Sequence, residues 1–347
     1  MDLYEKINKQ VYVIAEMSGN HAGSKDRAME IVHAAKESGA DCIKIQTYTP
    51  DTMTLDCNSE YFHIDGGTWD GENLYHLYEK ACTPWEWQAD IKAEAKKVGI
   101  DFLSTAFDST SVDFLESIGL DFYKIASFEL TDIPLLKYVA SKKKPIIMST
   151  GMSTLEEIET SVNAIKEAGC DQLVLLKCSS DYPAITNDMN LNTMVDMGRR
   201  FSLPIGLSDH SMGSVGVTAA VAMGARVIEK HFCVSRSVKN PDSSFSMEPA
   251  EFKKMVEDIR AAELAMGSIK YGPSDREMAN LKFRRSIFCS KDIKAGEIFT
   301  PDNVKVIRPA YGLPPVYLED VLGKMATYDI AFGTPLTIDM VKDLKQK

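Results

Sequence analysis

Residues 204–232 read PIGLSDHSMGSVGVTAAVAMGARVIEKHF. Two short apolar runs, Pro204–His210 and Val227–Phe232, flank a stretch, Ser214–Met223, in which apolar residues return every three or four positions. The runs have the pattern of strands buried on both faces, and the stretch between them that of an amphipathic helix. A strand, a helix and a second strand in that order make a parallel pair, because the helix supplies the crossover that parallel strands need.

Six further runs precede this unit: Val11–Glu16, Cys42–Tyr48, Asp101–Ala106, Phe122–Ser127, Pro145–Thr150 and Leu173–Ser180. Helical patterns fall between them, among them Ser24–Ser38, Pro84–Val98 and Ser153–Ala168. Strict alternation over eight strands predicts an α/β chain closed into a (β/α)8 TIM barrel. A doubly wound open sheet is the competing architecture. Against it, the first strand runs into SGNHAG, so the G-x-G-x-x-G dinucleotide turn is missing. Ser153 with Glu156 reads as a capping box, and Thr83 before Pro84 as a helix start. The connection Thr49–Cys82 is too long for a plain turn and reads as a functional loop over the C-terminal ends of the strands.

The barrel domain is assigned to residues 1–266, and the polar segment 267–285, with Gly272 and Pro273, to an extended linker. Residues 286–347 offer only short strands and turns. About 60 residues fold alone only marginally, which predicts docking on the barrel or on a second subunit. In the 347-residue chain, 44% of residues are hydrophobic and 26% charged, with a net charge of −11, a composition that excludes disorder and opposes non-specific binding to nucleic acid or to an anionic membrane. No apolar run approaches the ~18 residues of a membrane span, and Asp2, Glu5 and Lys6 break the layout of a signal peptide. The expected location is cytoplasmic. Seven scattered cysteines without a C-x-x-C pair then read as reduced thiols.

Strands covered on both sides should be nearly all apolar, so polar residues near their C-terminal ends are informative. By the two-residue period Lys44 shares a face with Gln46, Ser208 with His210, and Glu229 with His231. Neighbouring strands lie roughly 4.8 Å apart, so His210 and His231 either converge on one divalent metal ion or are hydrogen-bonded interior histidines. With two imidazoles alone the shell stays open for water and a substrate oxygen. Lys44 and Lys124 are either halves of buried ion pairs with Glu16 or Glu229, or a clamp for an anion, or one is an imine-forming nucleophile. Rim hydroxyls, Ser104, Thr105, Ser127, Ser149, Thr150, Ser179, Ser180 and Ser208, favour a clamp for phosphate and carboxylate. His21 is a weaker candidate for substrate contact. Trp69, Trp85 and Trp87 flank the long insertion and either stack on a sugar or anchor the loop.

The segments IAEMSGNHAGS, IKIQTYTPD, YKIASFE, MSTGMST, LKCSSDYP, GLSDHS and GARVIEKHF, followed by KDIKAGE and VIRPAYGL, resemble the sialic acid synthase family over practically the whole chain. The stretch GGTWDGENLYHLYEKACTPWEW, Gly66–Trp87, is similar to the branch of that family that makes pseudaminic acid. The resemblance implies a barrel followed by a small antifreeze-protein-like (SAF) domain, in a domain-swapped homodimer. It implies an enzyme that condenses phosphoenolpyruvate with an N-acetylated amino sugar, releasing phosphate. For this branch the sugar is 2,4-diacetamido-2,4,6-trideoxy-altrose; N-acetylneuraminate or legionaminate synthesis is the alternative. Carried over by motif, Lys44, Lys124, Ser127, Ser149 and Ser208 bind phosphoenolpyruvate, with Arg308 reaching in from a second subunit. His210 and His231 match metal ligands, for Mn2+ or Mg2+. Glu16, Gln46, Tyr182, Glu229 and Asp242 match positions near the sugar or the metal, with Glu16 or Glu229 expected to move a proton to or from water or a sugar hydroxyl, and Ser180 stands where relatives that make N-acetylneuraminate tend to show Asn. Two other readings fit parts of the chain: a retro-aldol lyase working through a Lys124 imine, and a non-catalytic glycan- or ice-binding protein.

Overall fold

In the computed structural model, which describes residues 2–346, eight parallel strands close in chain order into one barrel. They are β1 Tyr12–Glu16, β2 Cys42–Thr47, β3 Asp101–Ala106, β4 Tyr123–Ile125, β5 Ile146–Ser149, β6 Leu173–Cys178, β7 Ile205–Asp209 and β8 Val227–His231. The open-sheet alternative fails because β8 pairs with β1 along its whole length, Tyr12 opposite Val227 through Glu16 opposite His231.

Side chains alternate between the two faces of each strand, and each face is apolar for its own reason. Outward residues such as Val13, Ile43, Ile125 and Ile228 pack against helix residues such as Ile31, Val112, Val217 and Phe252 in the larger core. Inward residues near the strand beginnings, including Ile14, Leu103, Phe122, Ile147, Val174 and Leu176, fill the lower barrel. Leu3 and Ile7 of the helix Leu3–Lys9 join that cluster. β7 needs a glycine at Gly206, since a Cβ there would lie 2.2 Å from the Val227 carbonyl oxygen.

Several local expectations shift. The helix Leu155–Glu167 is capped by Thr154, with Glu157 closing the box, one residue beyond the Ser153 and Glu156 reading. Pro84 is the cap of Trp85–Val98, so Thr83 lies outside that helix. The insertion is not bare loop: it holds the helices Pro50–Met53 and Leu74–Ala81. Within the polar segment that reads as extended, the chain forms a turn of helix, Asp275–Met278, boxed by Ser274 and Glu277.

The chain divides into two compact units, Met1–Gly267 and Ser268–Lys347. In the second, β9 Ser286–Cys289 pairs antiparallel with β10 Val304–Ile307 over a small core that includes Ile287, Phe299, Val321 and Leu336. All seven cysteines are free. Among the described residues no helix is long and apolar enough to cross a membrane.

Candidate active site

Above the apolar lower barrel, the inward positions turn polar, and strand register decides which of them meet. Glu16 lies opposite Lys44 on one side and His231 on the other. Gln46 is opposite Thr105, Thr105 opposite Lys124, and Ser208 opposite Glu229. Lys44 and Lys124 are buried, at 3% and 2% exposure, so each ammonium needs partners. The Lys44 Nζ lies 2.7 Å from Glu16 Oε2 and 3.3 Å from Glu229 Oε1, and donates to Thr105 Oγ1 at 3.0 Å. Lys124 donates to Ser149 Oγ at 2.8 Å and lies 3.6 Å from Glu229 Oε1, which also accepts from Ser208 at 3.3 Å. Gln46 donates to Glu16 Oε1 at 3.2 Å. The ion-pair reading and the anion-clamp reading therefore meet in one cluster.

The carboxylates in this cluster are held differently. Burial raises Glu16 to about 7, with Lys44 pulling it down and Glu229 pushing it further up. Glu229 is pushed up by burial as well, but Lys124 and Lys44 outweigh that and keep it below the usual range. Two lysines thus face two carboxylates, of which Glu229 is the more firmly ionised and Glu16 the readier to take up a proton. Burial lowers Lys124.

His210, just past β7, and His231, the last residue of β8, face each other with ring centroids 5.3 Å apart. The His210 Nδ1 lies 2.9 Å from the Ser179 carbonyl oxygen, which only accepts, so that nitrogen carries a proton and, in the neutral ring, Nε2 is the one left to bind a cation. His231 Nδ1 is buried without a hydrogen-bond partner. Burial and the neighbouring His210 hold His231 well below the ordinary imidazole range, hence neutral. Burial also lowers His210, but Cys178, 3.9 Å from Nδ1, outweighs it and the net shift is upward. A neutral imidazole with an unsatisfied nitrogen beside one oriented by a backbone carbonyl fits a divalent cation with an open shell. Among the described residues no three His, Cys, Asp or Glu side chains are grouped to hold such an ion unaided.

Of the expected rim donors, Thr105, Ser149 and Ser208 belong to the cluster, and two lie beside it: Ser127, whose Oγ accepts from the Gly151 N–H, and Ser180, whose Oγ is 3.8 Å from Cys178 Sγ. Three do not. Ser104 lies 2.6 Å from Thr47 Oγ1 in the layer between barrel and helices, Thr150 donates to the Leu176 carbonyl beside Met197, and Ser179 donates to Asp188. Adjacent strand residues point opposite ways, so a Ser-Thr pair offers at most one hydroxyl to the interior. His21 is a core residue, fully buried edge-on to Trp87 and bonded to Thr83, with its pKa lowered by burial to about 4. Trp85 anchors the insertion by donating to the Tyr48 carbonyl. Asp242 is buried and accepts from the Gly19 N–H at 2.8 Å. Tyr182 covers His210, centroids 4.2 Å apart. Arg308 is exposed in the second unit, next after β10.

The structure adds residues not singled out from sequence. Glu129 ends the one-turn helix Ser127–Glu129 after β4, with Oε2 buried and without a hydrogen-bond partner. Burial raises it to about 7, against the opposing fields of Lys124 and Lys44. Gly151 donates its N–H to Ser127 Oγ, and a Cβ there would fall 2.2 Å from Ser180 Oγ. Both sit in quoted segments, YKIASFE and MSTGMST, but neither glutamate on a surface turn nor a lone glycine carries a sequence signal of its own.

Comparison with known proteins gives the same outline. The NeuB family model matches residues 31–271 and the SAF domain model residues 284–342. The chain is 47% identical to pseudaminic acid synthase of Campylobacter jejuni subsp. jejuni serotype O:2, over 95% of this chain and 96% of that protein. It is 38% identical to N,N'-diacetyllegionaminic acid synthase of Legionella pneumophila, over 94% and 93%. The crystal structure of N-acetylneuraminic acid (sialic acid) synthetase from Leptospira borgpetersenii, in complex with citrate, superposes with a TM-score of 0.71 at 31% identity, over 80% of this chain and 92% of that one.

Proposed function

Given that the chain belongs to the NeuB family and carries a C-terminal SAF domain, we propose that it condenses phosphoenolpyruvate with 2,4-diacetamido-2,4,6-trideoxy-altrose and water to give pseudaminic acid and phosphate. The observation that carries this reading is one barrel mouth in which two buried lysines meet Glu16, Glu229 and the hydroxyls of Thr105 and Ser149, beside a close pair of imidazoles. The higher identity to the pseudaminic acid enzyme than to the legionaminic one supports the sugar.

Lys44 and Lys124 hold the donor's anionic groups, with Ser127, Ser149 and Ser208 supplying hydrogen bonds and Arg308 of the partner subunit a further bidentate cation. The donor's C3 attacks the sugar's aldehyde carbon, forming the new C–C bond. Positive charge grows at C2, water adds there, and the C2–O bond to phosphate breaks. His210 and His231 would hold a divalent cation, Mn2+ or Mg2+, which when bound supplies Lewis-acid polarisation of the aldehyde oxygen. Gln46, Ser180, Tyr182 and Asp242 line the acceptor side. A carboxyl near pKa 7 is suited to moving protons at neutral pH, and Glu16, beside Lys44, and Glu129, in the field of Lys124, both have that property, while Glu229 stays ionised and holds the lysines in place.

The test is incubation with phosphoenolpyruvate, Mn2+ and a panel of N-acetylated hexoses, reading phosphate release and product mass and configuration. A nine-carbon product of pseudaminate configuration is expected. Turnover confined to another sugar moves the chain to the legionaminate or neuraminate branch. Borohydride trapping of a pyruvate adduct without phosphate release reassigns it as a lyase.

A further inference from the structure

We propose that the insertion between β2 and β3 selects the acceptor sugar through Trp69, which completes an apolar aromatic wall over the imidazole pair. This deepens the function proposed above and rests on it. The Trp69 ring meets Tyr182 at 5.3 Å and Phe245 at 6.3 Å. Those two rings in turn rest on the imidazoles, Tyr182 at 4.2 Å from His210 and Phe245 at 5.0 Å from His231. Thr68 donates to the Tyr182 carbonyl, and Trp69 Nε1–H donates to the Pro241 carbonyl at 2.9 Å. One dipeptide thus ties the segment after β6 to the segment after β8, and those segments carry the rings that lean on the two imidazoles.

The chemistry of the wall follows. The one polar side-chain atom of Trp69 is already spent on Pro241, Phe245 lies buried behind the other rings, and the phenol of Tyr182 is the one hydroxyl the three rings carry. A hydroxyl or phosphate set against the Trp69 ring face loses water without gaining a partner, whereas a methyl group gains dispersion and burial. The acceptor class that fits is a deoxygenated, N-acetylated sugar whose methyl groups face the wall. Selectivity from such a surface is modest, ~10–100-fold between a methyl-bearing acceptor and its hydroxylated counterpart.

Steady-state kinetics on wild type, Trp69→Ala and Trp69→Phe test this, with phosphoenolpyruvate and two acceptors: 2,4-diacetamido-2,4,6-trideoxy-altrose and the same sugar bearing a 6-hydroxyl. Trp69→Ala is expected to raise the KM for the deoxy acceptor ~10-fold or more and to shrink its preference over the hydroxylated one toward unity. The KM for phosphoenolpyruvate stays within about twofold, because the wall touches neither lysine. Trp69→Phe keeps a ring and restores most of the preference. Equal losses on both acceptors, or a matching rise in the donor KM, overturn the inference and leave Trp69 as a loop anchor. If Trp69→Ala does not fold, Trp69→Leu decides: a preference shrunken toward unity supports the wall, an unchanged one overturns it. No phosphate release by wild type with either sugar overturns the proposed function and this inference together.

Discussion

Gly151 lacks a side chain at a place where any Cβ would press into two hydroxyls, 2.2 Å from Ser180 Oγ and 2.8 Å from Ser127 Oγ. Its bare Cα is what lets the Ser180 and Ser127 hydroxyls, assigned to the acceptor and the donor, sit against this backbone. Gly151→Ala is expected to raise the KM for phosphoenolpyruvate by roughly 10–100-fold with little loss of thermal stability, read from initial rates and a melting curve. Glu129 belongs to the same scale. Burial raises its pKa to about 7, so the native state holds its proton more tightly than the unfolded chain does. That contribution to stability is complete below the unfolded value of about 4.3 and is lost as pH rises through about 7. Glu129→Gln removes the dependence. Its melting temperature relative to wild type should therefore climb between those two pH values and then level off; a flat difference across pH 4–8 by calorimetry would count against a buried, unpaired carboxyl. Neither residue stands out in a sequence, because both effects come from which atoms crowd around them.

At the scale of elements, the ends of β7 and β8 are bolted together by a pair that faces away from the site. Lys230 Nζ lies 2.6 Å from Asp209 Oδ2 and donates to the Ser211 carbonyl at 2.6 Å, with both side chains 1% exposed. Each partner is next in sequence to one of the facing histidines. Lys230→Met leaves a buried carboxylate without its cation and is expected to cost ~3–5 kcal/mol in urea unfolding. Adding Asp209→Leu removes the stranded charge and should recover much of that loss. The sequence carries this pair in plain view, as the alternate positions to Ser208, His210, Glu229 and His231. Reading it requires the register, which sets Asp209 opposite Lys230. Elsewhere the two-residue period read from the strands sorts correctly: Lys44 and Gln46 both reach Glu16, while Ser104 and Thr150, counted as donors by type alone, turn outward.

For the whole molecule, the proposed donor site draws Arg308 from a second copy, and this is directly testable. Arg308→Ala and His210→Ala subunits should each be nearly inactive alone. Mixed at equal amounts and allowed to exchange, they should recover roughly a quarter of wild-type activity, the share of sites in which both residues are intact. Verified mixed dimers that stay silent would rule out sharing. A net charge of −11 makes such a cationic contribution valuable, since the field of the chain as a whole repels a trianionic donor. Hydrophobic period, strand count and alternation with helices were legible from residues alone, because burial on both faces leaves a mark on every strand, whereas closure over an open sheet is fixed by the pairing of β8 with β1. The pairing of His210 with His231 was legible too, as equivalent positions on neighbouring strands. What the tertiary structure alone decided is how charge is shared in the barrel mouth: that Glu229 stays ionised between Lys44 and Lys124 while Glu16 is raised to about 7. It also decided that a tryptophan on an inserted loop ends against Tyr182 and Phe245. Those outcomes depend on distance and desolvation between residues more than a hundred positions apart, and no local pattern encodes either quantity.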